Sequence, residues 1–433
     1  MKVFKFGGAS VNSVERIQNL ASIVKLYERE RLVIIISAMG KTTNALEKVT
    51  EAFYEGKQDE ALQLFNTVKQ HHITTAKYLL VTRFNECLAQ LSDFFTEIEW
   101  LLHDKPVRDY DYYYDQVVCV GELLSTSVIS HYLNEVGIAN EWLDVRDLVR
   151  TDNNFRDAGI DWTITAQRIK TNLEGWEITE TKKNPVNPDI APNIYITQGF
   201  IGATADNEST TLGREGSDYT AAIFANILDA ESLSIWKDVE GVMNADPKLF
   251  PDAQLITELS FTEVIEMAYY GAQVIHPKTI KPLQNKKIPL YVKCFLDPSL
   301  AGTVIHKKNS KDLPPIIVIK QQQALIHLNS QDFSFVGEEP MSRLYQLFGM
   351  LKLKPNLIQT GAISVQVCLD DRPKKIEQLA MQAGNIFDVQ VEKELSLLTI
   401  RHYNEEVLQK LTQGKEIVLT QQTKETVQVL FRG

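Results

Sequence analysis

The sequence has no surplus of positive charge: 45 lysines and arginines stand against 56 aspartates and glutamates, a net charge of −11. That balance excludes sequence-independent nucleic-acid binding, which needs a basic footprint. Cysteine is scarce. Cys87, Cys119, Cys294 and Cys368 lie far apart with no CxxC pair, which argues against a disulfide framework or a zinc site and reads as buried reduced thiols. No run reaches about 18 apolar residues, and the apolar part of MKVFKFGGAS is too short for a signal peptide. A cytoplasmic protein with neither membrane nor nucleic-acid partner is therefore expected. Low-complexity tracts and coiled-coil repeats are also missing. What is present is an ordinary globular composition, 44% hydrophobic over 433 residues, enough for a substantial core and roughly two to three domains.

Up to about residue 300, short apolar runs alternate with helical patterns. VFKF (3–6) leads into a Gly-Gly turn and a helix from about Ser13 to Arg31; LVIIIS (32–37) has the continuous apolar character of a strand buried on both faces. A long helical region spans roughly 43–103, and a further helix starts near Gly121. Strands are predicted at NEWLDV, NIYITQGFIG, SLSIWKDV and IPLYVKCF. Strands separated by helices imply a mainly parallel α/β sheet with helices on both faces, binding ligands beyond the carboxyl ends of its strands. GTVIHKKNSKDLPP (302–315) reads as a linker. Beyond it, shorter elements follow a β-α-β-β-α-β order, with a second partial copy whose missing strand PPIIVIK could supply.

Several turns at strand ends carry candidate chemistry. TTLGREGSD crowds Gly213, Arg214, Glu215, Gly216 and Asp218 into one turn before an apolar helix. Arg214 can grip a carboxylate by a bidentate fork and Asp218 can accept from an ammonium, the two halves of an amino-acid clamp; a turn capping the next helix is the plainer alternative. KFGGAS sets Lys5 in a buried strand before Gly7 and Gly8. A buried ammonium there needs an anion, unless the side chain snorkels to solvent. VCVGELLS puts Glu122 in a helix's first turn, where the macrodipole alone favours an acid. SAMGKTTN lacks the first glycine of a P-loop, since Ile35 stands there; Ser37 and Thr43 remain as polar groups near a helix start. His276 reads as a helix-terminating residue satisfied by backbone.

Taken in order, KFGGAS, ISAMGKTTN, GELLS, QGFIGAT, TTLGREGSDYTA, KDVEGVMNADP, LSFTEVIEMAYYGAQVIHP and IPLYVKCFLDPSLAGTVI resemble the aspartate kinase family of the amino-acid kinase superfamily over about residues 2–306. The tail resembles that family's paired ACT regulatory domains. The resemblance implies a three-layer αβα kinase domain at 1–305 and a regulatory region at 306–433. The latter would hold one α+β ferredoxin-like unit at about 322–394 and another from 315–321 plus 395–433. It implies a monofunctional enzyme transferring the ATP γ-phosphoryl group to the side-chain carboxylate of L-aspartate, opening the lysine, threonine and methionine branch of biosynthesis. Mg²⁺ would bridge the phosphates, and a homodimer or larger homo-oligomer would form through the ACT domains.

By the same resemblance, Lys5 stabilises the transferring phosphoryl, and Gly7 and Gly8 approach the phosphates. Ser37, Thr43, Glu122 and Phe200 line the aspartate site, Arg214 holds the α-carboxylate and Asp218 orients the substrate. Lys237, Asp238, Met243, Lys248 and Gln273 fall on the nucleotide side. No residue is assigned as a metal ligand. The chain departs from the family at Glu215 (commonly Gly), Lys237 (Thr), Met243 (Tyr), Lys248 (Arg) and Gln273 (Lys). If Glu215 faces the phosphates, replacing it by glycine should tighten ATP binding. In the tail, Ser342, Arg343 and Leu344 replace a Gly-Phe-Leu motif, and Asn356 and Gly361 replace an Asp and a Ser of lysine-sensitive homologues, which implies weak, altered or absent lysine control. The alternatives are a catalytically weak or inactive amino-acid-binding regulator, or a sibling kinase acting on another small acid.

Overall fold

The computed structural model describes residues 1–173, 193–272, 274–308 and 312–432. The chain packs as two compact units. One comprises Met1–Val242, Thr257–Ile265 and Ile275–Asn309; the other comprises Met243–Ile256, Glu266–Val274 and Ser310–Gly433.

Strands of the first unit are β1 (Lys2–Phe6), β2 (Leu32–Ile36), β3 (Glu141–Leu143), β4 (Ile194–Gln198), the hairpin β5 (Ile201–Ala203) and β6 (Ser209–Thr211), and β7 (Ser232–Lys237). After the short pair β8 (Val242–Met243) and β9 (Leu255–Ile256), of which all but Val242 falls in the other unit, come β10 (Glu258–Ser260), β11 (Leu290–Cys294) and β12 (Thr303–His306). Eight of them form one sheet, in the order β10-β12-β11-β7-β1-β2-β4-β3. All pairs are parallel except β11 with β12. All five residues of β2 are buried, as β-branched residues in a strand covered on both faces should be. In β1 the alternation of side chains puts Phe4 and Phe6 on the face occupied by Trp236, whose ring stacks on Phe6 at 5.9 Å. Val3 and Lys5 take the other face. The helical stretch 43–103 is three helices, Thr42–Tyr54, Gln58–Leu79 and Phe84–His103. The first ends at Gly56, whose φ of +77° suits a residue just past a helix. The linker reading needs correction at its start: residues 303–306 are β12, a paired member of the large sheet.

The second unit is built on a six-stranded antiparallel sheet. Its strands are β13 (Ile316–Ser330), β14 (Leu357–Thr360), β15 (Ser364–Asp370), β16 (Phe387–Arg401), β17 (Glu416–Gln422) and β18 (Thr426–Arg432), in the order β14-β15-β13-β16-β18-β17. β13 and β16 each run for 15 residues. Ile316–Lys320 pairs with Leu397–Arg401, and Leu325–Ser330 pairs with Phe387–Glu392, with register shifts between Lys320 and Leu325. PPIIVIK and ALIHLNS are thus one strand, as are FDVQVE and LSLLTIRH. The helices Glu338–Met350 and Pro373–Ala383 close a core of Ile326, Leu328, Leu344, Phe348, Val367 and Leu379 over one half. The helix Glu405–Thr412 supplies Leu408 and Leu411 to Leu398, Ile400 and Val429 in the other. The first half has the β-α-β-β-α-β order of a ferredoxin-like α+β unit, and the second has one helix among the described residues; the antiparallel sheet is consistent with ACT-type domains. No helix among the described residues is long and apolar enough to cross a membrane. All four cysteines are free and buried.

Candidate active site

Lys5 and Asp218 meet beyond the end of β1. Strand alternation turns Lys5 toward the helix Gly216–Ile227, and its Nζ lies 2.7 Å from Asp218 Oδ1. Burial pushes the Asp218 pKa up. The Lys5 and Lys237 ammoniums, with the Lys5 hydrogen bond, outweigh that and hold the carboxyl below its ordinary value. Removing one partner of such a buried pair strands the other charge, at a cost of about 3–5 kcal/mol.

The turn before this helix is built by close approach. A Cβ on Gly199 would lie 2.5 Å from Ser217 Cβ, and one on Gly216 would lie 2.7 Å from Phe200 Cδ2. Phe200 itself has φ +71° and Glu215 φ +55°. Two side-chain-bearing residues in left-handed backbone, at two turns packed against each other, mark a place where surrounding structure imposes strain. The Phe200 amide is held by Thr220 Oγ1 at 3.0 Å. Glu215 Oε2 accepts from the His276 amide at 3.0 Å. His276 begins a helix instead of ending one. It caps Pro277–Lys286, with Nδ1 accepting from the Lys278 amide at 3.2 Å, because proline is pre-organised for a first helical position.

Glu122 approaches from the first turn of the helix Val120–Glu135. Its neighbour Gly121 lets that helix close on the turn after β2 and on the helix Thr42–Tyr54: a Cβ there would sit 3.3 Å from Ala38 Cβ and 3.0 Å from Leu46 Cδ1. Ser125 donates to the Ser37 carbonyl at 2.8 Å. Glu122 is 3% exposed and its Oε2 has no hydrogen-bond partner. Burial raises its pKa to about 8, against the opposing Ala38 amide and Lys5 charge. A polar atom this buried and left unpaired within the protein calls for a partner from outside it.

These groups surround one cavity of about 580 Å³. On its acceptor side the sequence-predicted Ser37, Thr43, Glu122, Phe200, Arg214 and Asp218 all line it. Lys5, Gly8 and Lys237 line it from the predicted nucleotide set, and a Cβ on Gly7 would be 3.4 Å from Lys5 Nζ. Asp238 is exposed and does not line it. Met243 and Lys248 belong to the other compact unit, and Gln273 lies outside the described residues. Sequence reasoning missed Tyr114, Arg156 and Thr211, which also line the cavity. It missed the buried Asp115 behind them. An acid inside the apolar helix YDYYYDQVV was the available signal for Asp115. Arg156, in the polar turn NNFRDAG, carried none.

A mainly parallel sheet that presents a lysine–aspartate pair and an unsatisfied glutamate beyond its strand ends defines a site for a small charged ligand. The chain belongs to the amino acid kinase family, whose model matches residues 1–294. Among its relatives it is 30% identical over 411 residues to lysine-sensitive aspartokinase 3 of Escherichia coli (strain K12), covering 92% of this chain and 86% of that one. It is 33% identical over 376 residues to the chloroplastic aspartokinase 2 of Arabidopsis thaliana, covering 85% and 66%. The chain therefore spans about two thirds of the length of that plant relative. The crystal structure of E. coli aspartokinase III in complex with aspartate and ADP matches with a TM-score of 0.77 at 26% identity, covering 100% of this chain and 96% of that one. The lysine and aspartate complex of the same enzyme matches equally, with a TM-score of 0.77.

Proposed function

We propose that the chain is an ATP-dependent aspartate kinase. The observation that carries this reading is the charge set of the cavity: a buried Glu122 oxygen without a partner, the Arg214 guanidinium and the Lys5–Asp218 pair line one space. L-Aspartate offers the complement, an α-ammonium for Glu122 and Asp218, an α-carboxylate for Arg214, and a second carboxylate for the Lys5 end. A side-chain carboxylate oxygen attacks the γ-phosphorus of ATP. The new O–P bond forms as the bond from phosphorus to the β,γ-bridging oxygen breaks, and ADP leaves. The acceptor is already ionised, so no proton is moved. Phosphoryl transfer then needs positioning and charge neutralisation, which Lys5 and Lys237 supply, with Gly7 and Gly8 admitting the phosphates. Ser37, Thr43 and Phe200 bound the acceptor. Asp238, Met243, Lys248 and Gln273 remain assigned to the nucleotide by motif match.

The described residues contain no cluster of three or more His, Cys, Asp or Glu that could hold a metal. Mg²⁺ fits this site as an ion carried by the phosphate oxygens of ATP, as Mg²⁺ commonly is, lending charge neutralisation there. We assign residues 1–305 to catalysis and 306–433 to two ACT-type units, with homo-oligomers forming through the latter and the enzyme residing in the cytoplasm. Lysine control is weak, altered or absent in this reading. Asn356 is already engaged within its own unit, accepting from Lys320 Nζ at 2.8 Å and donating to Gln323 and Asp370.

The test is trapping of the acyl phosphate with hydroxylamine. Aspartate-dependent hydroxamate is expected with ATP and Mg²⁺, and its loss in Lys5→Ala and Arg214→Ala. Hydroxamate from glutamate in preference to aspartate would favour the sibling kinase. Aspartate binding without ATP binding or product would favour the inactive regulator.

A further inference from the structure

We infer that Asp115 is a positioning residue for the acceptor, a buried brace that locks two separate segments of the cavity wall into one shape; the inference rests on the kinase reading above. Asp115 sits on the helix Tyr110–Val118 and is fully buried. Its Oδ2 accepts from the Arg156 amide at 3.0 Å and from the Thr211 amide at 2.8 Å, while Oδ1 accepts from Thr211 Oγ1 at 2.7 Å. Arg156 and Thr211 both line the cavity; Asp115 does not.

The two segments so joined are those that set the acceptor clamp. Thr211 ends β6 and is followed by Leu212, Gly213 and Arg214. Gly213 packs so closely on the other segment that a Cβ there would lie 2.7 Å from Asp157 Oδ1. The Ala158 amide donates to the Thr211 carbonyl at 3.0 Å, and Lys278 Nζ ties Asp157 to the Leu212 carbonyl at 2.9 and 3.0 Å. One residue on, Gln116 exchanges two hydrogen bonds with the Ser209 backbone. The helix therefore grips β6 at two successive residues, and Asp115 is the one that also reaches across to Arg156.

That second reach matters because Arg156 has φ +69°, a conformation that persists only where its surroundings over-determine it. Its amide hydrogen is taken by Asp115. Its guanidinium lies 4.2 Å from the Tyr114 ring centroid and pairs with Asp111 at 3.2 Å. Without the carboxylate, the strained turn loses the acceptor of its Arg156 amide, and the start of the Thr211–Arg214 run loses the acceptor of its Thr211 amide and hydroxyl. Arg214, exposed at the end of that run, is then held less firmly against the acceptor.

The experiment measures KM for L-aspartate and for ATP, with kcat, by hydroxamate formation in wild type, Asp115→Ala and Asp115→Asn. Asp115→Ala is expected to raise the aspartate KM by about tenfold or more, since a misplacement near 1 Å is felt strongly, and to leave the ATP KM within about twofold. Asp115→Asn is expected to stay within about threefold of wild type in both. Its amide oxygen can keep the two backbone donors while its NH₂ donates to the Thr211 hydroxyl. A purely structural residue would lower the melting temperature and affect both substrates alike; equal rises in both KM values, or an unchanged aspartate KM in Asp115→Ala, overturn the proposal. So does an asparagine variant as impaired as the alanine one, which also decides the matter if Asp115→Ala does not fold. Calorimetric aspartate affinity of the same proteins reads the brace independently of turnover. A wild type that binds aspartate but forms no hydroxamate defeats the kinase reading and leaves the brace testable.

Discussion

Burial pushes the Glu122 carboxyl up to about 8, so in the ligand-free site at pH 7 it is mostly protonated. An α-ammonium brought against it favours the carboxylate and lowers that pKa. Binding of L-aspartate at pH 7 should then release close to one proton, and affinity should rise as pH climbs to about 8, by up to about tenfold per unit. Titration calorimetry in buffers of different ionisation enthalpy reads the proton directly; no release would mean Glu122 does not meet the ammonium. Glu215 carries the other residue-scale prediction. Glu215 lines the cavity, and one of its carboxylate oxygens is tethered by the His276 amide; we expect the tether to keep its charge off the phosphates. Glu215→Gly would relieve left-handed strain worth about 1–2 kcal/mol and lose one hydrogen bond worth about 1 kcal/mol. Its melting temperature should change little and its ATP affinity should stay constant; tighter ATP binding would return Glu215 to the phosphate path. Arg214 and Asp218 were legible because glycines and charges crowd one turn. Asp115 and Arg156 were not, because their meaning lies in contacts with residues 40 to 100 positions away.

At the scale of elements, the large sheet was readable because apolar runs such as LVIII announce strands covered on both faces. The long strands of the second unit were not. Lys320–Gln323 and Glu392–Glu394 interrupt the apolar pattern and imitate a turn between two strands. A polar interruption cannot distinguish a strand end from an irregularity at which pairing resumes. Here pairing resumes, with register shifts at Lys320–Leu325 and a φ of +53° at Gln322. Because β13 and β16 each serve both halves of that sheet, the halves should lose structure together. Leu398→Ala removes a fully buried side chain from the β16 half packed on Val429 and Leu408, and should cost about 2–5 kcal/mol. Hydrogen exchange is expected to speed up in β14 and β15 as well as in β17 and β18; faster exchange confined to β17 and β18 would show that the halves open separately.

On the scale of the whole molecule, the order of motifs identified the family from sequence, but how the chain distributes itself between its units could not be read that way. The path leaves the first unit at Met243, returns at Thr257, leaves again at Glu266, returns at Ile275 and departs finally near residue 310. Segments that read as parts of a single kinase domain are held by the C-terminal sheet's own surroundings. The Ile317 amide donates to the Asn244 carbonyl at 2.7 Å, and Asn244 Nδ2 donates to the Pro315 carbonyl at 2.9 Å. Arg401 pairs with Glu266 at 3.2 Å, and a Cβ on Gly271 would collide with Lys320 Cε at 2.3 Å. Motif spacing cannot reveal this, since each such contact joins residues separated by about 50 positions or more. The consequence is measurable in the intact protein. A protease site placed after Lys308, an exposed position, would cut the chain once and leave Asn244, Glu266 and Gly271 on one piece, with Ile317, Lys320 and Arg401 on the other. The two pieces should co-elute in gel filtration under native conditions and separate only in denaturant, because the second unit then consists of both. Separation of the pieces without denaturant would show that residues 310–433 form their unit without the two inserted segments.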